Sequence, residues 1–183
     1  MHNDQHTDEA LILAYKAGDK QALNTLVRRW HRPFCDKAYW MTRDKNAAKD
    51  IAQDSWTTII DRIEVLKDPA KFKFWAYRIV CNKSTDWLRL RSKQVRFPEH
   101  YDQQVNDDIK DEPRDKLVKQ TLLSAIGKLP DNQRIIVRLF YLESYSLIQI
   151  SELLGISVGT AKSRLFHARE KLKKTLKHYN YEN

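Results

Sequence analysis

Cysteine, glycine and proline are all scarce in this 183-residue chain, which has two, four and five of them respectively. Cys35 and Cys81 lie far apart and form no CxxC pair, so neither a disulfide framework nor a cysteine zinc site is supported, and both read as reduced core thiols. Gly18, Gly127, Gly155 and Gly159 cannot make a P-loop or a dinucleotide fingerprint, which need glycines where backbone amides approach phosphate. The six histidines form no HExxH-type pattern. No metal and no cofactor is therefore expected. Asp50 and Asp54 stand one helical turn apart, but acid–base work needs a pocket and separated pKa values, and nothing near them suggests either. No residue is assigned a catalytic role, and the chain reads as a non-enzyme.

Long apolar runs are missing too. No window approaches the roughly 18 uninterrupted apolar residues of a spanning helix, so the chain is not expected to be membrane-embedded. Residues Met1 to Glu9 are polar and acidic, without the basic start and apolar centre of a secretory signal, which predicts a cytoplasmic protein. What the chain has in excess is positive charge: 33 Lys and Arg against 24 Asp and Glu, a net of +9. A polyanion is its natural partner.

Apolar residues recur at helical spacing nearly everywhere, as in Leu23, Leu26, Val27 and Trp30. Thr7 before Asp8 and Glu9, Asp19 after Gly18, and Asp44 after Arg43 each offer a short polar side chain to free N-terminal amides, and so mark helix starts. No strand pattern is convincing. Between Phe97 and Lys116 the periodicity stops: Pro98 and Pro113 bracket a stretch holding seven acids, Glu99, Asp102, Asp107, Asp108, Asp111, Glu112 and Asp115, with Lys110, Arg114 and Lys116. Too few large apolar residues are present there to pack a core. The expected fold class is all-α, with two small helical domains at 7–96 and 115–178 joined by a flexible acidic linker at 97–114.

The second domain carries a helix-turn-helix pattern. Ser146 to Leu154 is a short amphipathic segment, Gly155 is suited to the positive φ that ends it, and Ser157 is placed to cap the helix that follows. Ser151 is small enough for the two helices to cross closely. Ala161, Leu165, Ala168, Leu172 and Leu176 keep one face of the second helix apolar, while Lys162 to Lys177 hold seven Lys or Arg and one acid. The N-terminal part of such a helix enters the major groove, making Thr160, Lys162, Ser163, Arg164, Phe166 and His167 candidates for DNA contact. Lys and Arg mainly hold phosphates; Ser163, His167 and Lys162 are the candidates for base edges.

In the first domain, Asp44 to Ile63 has an inner face of Ala48, Ile51, Ala52, Ile59 and Ile63 and an outer stripe of Asp50, Gln53, Asp54 and Thr57. The next helix, Lys71 to Arg91, interleaves aromatics with cations, an arrangement suited to single-stranded nucleic acid. Helical spacing makes Phe72, Trp75 and Ile79 core residues by expectation. Tyr77, Asn82, Lys83, Asp86 and Arg89 are harder to account for as packing. On these residues alone, a stand-alone helix-turn-helix regulator binding operator duplex and a single-strand binder both remain open.

Taken in order, these pieces resemble the extracytoplasmic-function (ECF) group of bacterial sigma factors. DIAQDSW at Asp50 to Trp56 is similar to the group's region-2 core-binding motif, and FWAYRIVCNKSTDWLRLR at Phe74 to Arg91 to its minus-ten helix. LPDNQRIIVRL at Leu129 to Leu139 and ISELLGISVGTAKSRLFHAREKL at Ile150 to Leu172 are similar to its region 4. The resemblance implies a noncatalytic subunit that binds core RNA polymerase through its β and β′ subunits, recognises two promoter elements and helps to melt promoter DNA, typically in a stress response. It implies core docking by Asp50, Gln53 and Asp54. It implies minus-ten contacts by Lys71, Tyr77, Asn82, Lys83, Asp86, Arg89 and Arg91, with the loop from Leu66 to Lys71 helping to hold flipped bases. Minus-thirty-five contacts would come from Ser157, Thr160, Lys162, Ser163, Arg164, Phe166, His167 and Arg169, and an anti-sigma factor is an expected partner. Three positions depart from the group's pattern: Gln149-Ile150-Ser151 replaces EIA, Gly159-Thr160-Ala161 replaces GTV, and His167 stands where Arg is common, removing a fixed charge and a bidentate guanine reader.

Overall fold

The computed structural model describes residues 7–94 and 113–181. Helices α1 (Asp8–Lys16), α2 (Lys20–Thr42), α3 (Lys45–Arg62) and α4 (Phe72–Gln94) form one compact unit, and α5 (Pro113–Gly127), α6 (Asp131–Tyr141), most of α7 (Leu147–Leu154) and α8 (Val158–Tyr181) supply the other. The described residues contain helices and no strand. The expected linker lies almost wholly outside them; its last two residues, Pro113 and Arg114, open α5.

All three predicted helix starts are in place. Thr7 Oγ1 accepts from the amide of Ala10 at 3.2 Å, Asp19 Oδ1 from Gln21 at 2.8 Å, and Asp44 Oδ1 from Asn46 and Ala47 at 2.9 and 3.0 Å. Each removes an orphan donor from a helix N-terminus. Arg43, in the left-handed region at φ 58°, turns the chain between α2 and α3, so these two long helices can fold back and pack together.

The core of this unit is aromatic. Phe34 is fully buried; its ring centroid lies 5.8 Å from Trp30, 5.0 Å from Trp56 and 6.0 Å from Tyr77, and Phe72 meets Trp30 edge-on at 6.1 Å. Around the rings pack Leu11 and Ile12 from α1, Leu26 from α2, Ile51 and Ile59 from α3, and Ala76 and Val80 from α4. Phe72, Trp75 and Ile79 join this core as their spacing predicted. Tyr77 does so as well, which the spacing did not suggest. Short 3-10 turns at Ile63–Val65 and Pro69–Lys71 carry the chain from α3 to α4.

In the second unit α8 lies against α5 and α6. Its expected apolar face is buried at Ala161, Leu165 and Ala168 and half-buried at Leu172; the side chain of Leu176 is outside the described residues. Ile135, Ile136 and Leu139 of α6 supply the other apolar surface, and Arg134 is buried beside them with a bond of 2.7 Å to Asp131. Gly155 takes φ 61°, ending α7 as expected, and the amide of Ile156 closes back on the Ser151 carbonyl at 3.0 Å. Ser157 Oγ accepts from the amide of Thr160 at 3.0 Å, completing the cap. Ser157→Ala is therefore expected to lower the stability of this unit by about 1 kcal/mol, with Ser157→Asp retaining it. Urea unfolding followed by far-ultraviolet circular dichroism measures the loss, and an unchanged midpoint would mean that the cap contributes nothing.

The departures at Gln149 and Ser151 leave the motif intact for readable reasons. Gln149 Oε1 accepts from the Ser146 amide at 2.9 Å while Ser146 Oγ accepts from the Gln149 amide at 3.2 Å, a reciprocal capping box in which Gln serves as Glu would. Ser151 turns its hydroxyl onto the Ile148 carbonyl at 2.7 Å, so the small side chain is buried without an orphaned donor.

Candidate nucleic-acid and polymerase interfaces

On α3, burial divides the helix as its pattern predicted. Ala48, Ile51, Ala52 and Ile59 face inward, together with Trp56 and with Ser55, whose hydroxyl bonds back to the Ile51 carbonyl at 2.6 Å. Asp50, Gln53, Asp54 and Thr57 are exposed on the opposite side. Neither Asp50 nor Asp54 has an ion-pair partner among the described residues, so this stripe presents two unneutralised carboxylates on a rigid helix.

On α4 the picture is mixed. Asn82 and Lys83 are half-buried, and Asp86 and Arg89 are exposed. Arg89 Nη1 bonds Asp86 Oδ1 at 3.1 Å, and the Arg91 guanidinium lies 5.2 Å from the Trp87 ring centroid, so three of these charged groups are ordered before any ligand arrives. Asn82, Asp86 and Arg89 share one face, and Arg78, exposed one turn before Asn82, extends it. Arg78 was not singled out from sequence, although the i, i+4 spacing pointed to it.

The loop before α4 places its cations outward. Lys67 and Lys71 are exposed, and Lys71 Nζ bonds Asp68 Oδ2 at 3.0 Å, which holds the Asp68 carboxyl below its usual range. Asp68 also accepts from the Ala70 amide at 3.2 Å, giving the loop its internal shape.

Tyr77 is half-buried and packs against the core. Its ring meets Trp30 edge-on at 5.6 Å, and the Lys37 ammonium sits 5.3 Å from its centroid. Lys37 is itself buried, between Tyr77 and Trp40. The Tyr77 ring is thus a wall of the core and the housing of a cation.

On α8, Lys162, Ser163, Phe166 and His167 are exposed, and the Phe166 and His167 rings meet edge-on at 5.5 Å. Arg164 is half-buried. The Ser157 and Thr160 hydroxyls bond each other at 2.8 Å within the cap, so their first role is to shape the turn. Arg169 is also engaged: its Nε donates to Tyr141 Oη at 2.7 Å, and its guanidinium lies 5.5 Å from the ring centroids of both Phe140 and Tyr141. That interaction braces α8 against α6 and was not legible from either segment alone.

The cysteines fit neither interface. Cys81 is fully buried. Burial pushes the Cys35 thiol up, the neighbouring Asp36 carboxylate adds to this, and Lys49 opposes it, so thiolate is scarce at neutral pH. Among the described residues there is no group of three or more His, Cys, Asp or Glu able to hold a metal, and no helix long and apolar enough to cross a membrane.

Two helical units, one with an acidic helix face and a cation-bearing helix, the other with a basic helix-turn-helix, define a factor of the sigma-70 class. Residues 26–94 match the family described as Sigma-70 region 2, and residues 119–172 match Sigma-70, region 4. The chain is 31% identical over 179 residues to the ECF RNA polymerase sigma factor SigW of Bacillus subtilis, covering 91% of this chain and 95% of that protein. It is 29% identical over 180 residues to the ECF RNA polymerase sigma-E factor of Haemophilus influenzae, covering 91% and 94%. Among solved structures, CnrH in complex with the cytosolic domain of CnrY aligns with a TM-score of 0.57 at 23% identity, over 93% of this chain and 97% of that one. RpoE from Bartonella quintana, in complex with the anti-sigma factor NepR, aligns at 0.60 and 20%, over 85% and 96%. The chain belongs to the ECF RNA polymerase sigma factors: it is a non-enzymatic protein that directs RNA polymerase to promoters.

Proposed function

We propose that the two units divide promoter recognition, with region 2 at 7–96 acting on the minus-ten element and region 4 at 115–178 on the minus-thirty-five element. The observation that carries this reading is the segregation of charge: an exposed acidic stripe on α3 and an exposed basic face on α8. The stripe of Asp50, Gln53 and Asp54 docks on core polymerase, a protein surface of opposite charge. DNA would repel it. Lys162, Ser163, Phe166 and His167 enter the minus-thirty-five major groove, while Arg164 and Arg169, with Ser157 and Thr160 at the turn, set the pose of α8 and approach the backbone.

In region 2, Asn82 and Lys83 with the loop from Leu66 to Lys71 receive bases extruded from the melted minus-ten strand, and Asp86, Arg89 and Arg91 line its path. Extruding a base costs a few kcal/mol, so a pocket that holds it favours the open state. Tyr77 takes part from behind, by fixing Trp30 and Lys37, rather than by stacking. The expected linker at 97–114, of which 97–112 lie outside the described residues, connects the two. The protein works in the cytoplasm with polymerase, and an anti-sigma factor holds it inactive by covering these faces; CnrH and RpoE, which share its fold, were each solved with a bound partner.

Run-off transcription tests the reading. Purified core polymerase with this protein should yield discrete transcripts from a pool of genomic fragments that core alone does not produce, and binding should weaken with salt by about −0.9 in log–log slope per phosphate neutralised. Specific duplex binding by the protein alone, with no transcript from active core, would instead favour a stand-alone regulator.

A further inference from the structure

Lys16, at the end of α1, bonds to a segment 48 to 50 positions away. Its Nζ donates to the Glu64 carbonyl at 3.0 Å and to the Leu66 carbonyl at 2.8 Å. A surface lysine gains most by leaving its ammonium in water, because fixing it costs rotamer freedom. Here two of its three donors are spent on backbone oxygens, in charge-assisted bonds that hold the main chain rather than a mobile side chain.

The carbonyls it holds are those where the chain leaves α3 and enters the loop at 66–71. Within that loop Asp68 sets the shape, by accepting from Ala70 and pairing with Lys71. Attachment to the body is a separate matter. Leu66 supplies part of it by burying its side chain in the core, and Lys16 supplies the polar part. Helix α1 is a firm base for this: Leu11 and Ile12 are buried in the core, and Asp8 Oδ1 accepts from Arg29 Nη1 of α2 at 2.7 Å. A continuous bracket therefore runs from α2 through Asp8 and Lys16 to the loop. Lys16 lies outside the segments that match regions 2 and 4.

We propose that Lys16 is a positioning residue, fixing the 66–71 loop against the start of α4 and thereby sharpening base discrimination at the minus-ten element. The inference rests on the proposed function, in which this loop and Asn82 receive bases of the melted strand. Lys16 touches no DNA in this scheme; it acts through the two carbonyls. Removing the ammonium leaves the loop shaped by Asp68 but free to shift as a unit, so correct and incorrect bases are received more equally.

The test uses the full chain with Lys16→Met, Lys16→Arg and Asn82→Ala, each assembled with core polymerase. Hydrogen exchange reads the loop directly. In Lys16→Met the amides around 66–71 should exchange at least about tenfold faster, as expected for loss of a charge-assisted bond, while α2 and α3 stay protected. Transcription from a promoter found by run-off, and from its single-base variants across the melted segment, reads discrimination. Lys16→Met should compress the ratio between native and substituted bases severalfold, leave the ratio at minus-thirty-five variants unchanged, and be reversed in large part by Lys16→Arg. If Asn82→Ala alters minus-ten discrimination and Lys16→Met does not, the proposal is overturned and the minus-ten reading stands. Should neither variant alter it, the minus-ten reading fails and the proposal with it. Where Lys16→Met proves unfolded, Lys16→Gln, which is one atom shorter and keeps an amide donor group without the charge, takes its place under the same criteria.

Discussion

Replacing Asp50 and Asp54 together by Arg is expected to abolish transcription directed by this protein while leaving its fold intact. Both carboxylates are exposed on a helix whose opposite face is packed, and neither pairs with another described residue, so the substitution removes no internal contact. Stability should change by no more than about 0.5 kcal/mol, the ordinary range for an exposed site. The polymerase complex is another matter. Reversing a charge in a complementary contact replaces attraction by repulsion, and losing a close interfacial charge pair costs about 2–5 kcal/mol. Even one such loss lowers affinity by about thirtyfold or more, and two adjacent reversals should exceed a hundredfold. Run-off yield at limiting protein, with competition for labelled core, measures the effect. Unchanged transcription by the doubly reversed variant would remove the α3 stripe from the polymerase interface.

The acidic stripe was legible because its chemistry and its periodicity coincide. Four polar positions at i, i+3, i+4 and i+7 opposite small apolar residues leave α3 only one way to pack. Helix starts were legible for a local reason as well: a cap needs one side chain and an amide two or three residues on, as at Thr7, Asp19 and Asp44. The turn between α7 and α8 follows the same rule, with Gly155 and Ser157 each doing what its backbone position requires.

Where the reading fell short, the partner was distant in sequence or disguised. Tyr77 shares its stripe with Cys81 and Ser84, both fully buried, but Ser in a helix reads as polar unless its hydroxyl is known to bond back to the chain, as Ser84 does to Val80 at 2.8 Å. The core face of α4 is therefore wider than its apolar residues indicate. Lys16, Lys37 and Arg169 are cations that the net charge of +9 assigns by default to a polyanion. Each is also engaged within the protein, Lys16 by backbone carbonyls, Lys37 by aromatic walls, and Arg169 by a tyrosine hydroxyl with two rings. Composition sets the partner class of such a protein, while long-range contacts decide which of its cations are left to meet that partner.

Phe34→Ala should be the most damaging single truncation in region 2, destabilising it by about 3–5 kcal/mol. Phe34 is fully buried and lies against Trp30, Trp56 and Tyr77, so its removal opens a cavity bordered by rings that cannot collapse without breaking their edge-on geometry. For a domain of ordinary stability, about 5–15 kcal/mol, that loss takes most of the margin. The chain carries its own reporter: all five tryptophans, Trp30, Trp40, Trp56, Trp75 and Trp87, belong to the first unit, so tryptophan fluorescence in urea follows region 2 alone. The midpoint should fall sharply for Phe34→Ala and hardly move for Leu13→Ala, where half of the side chain is already exposed. Circular dichroism should show a second, unshifted transition from region 4, because none of the rings around Phe34 comes from that unit. A loss below about 1 kcal/mol would mean that the ring cluster tolerates a void and that the aliphatic contacts of α1 to α4 carry the fold instead.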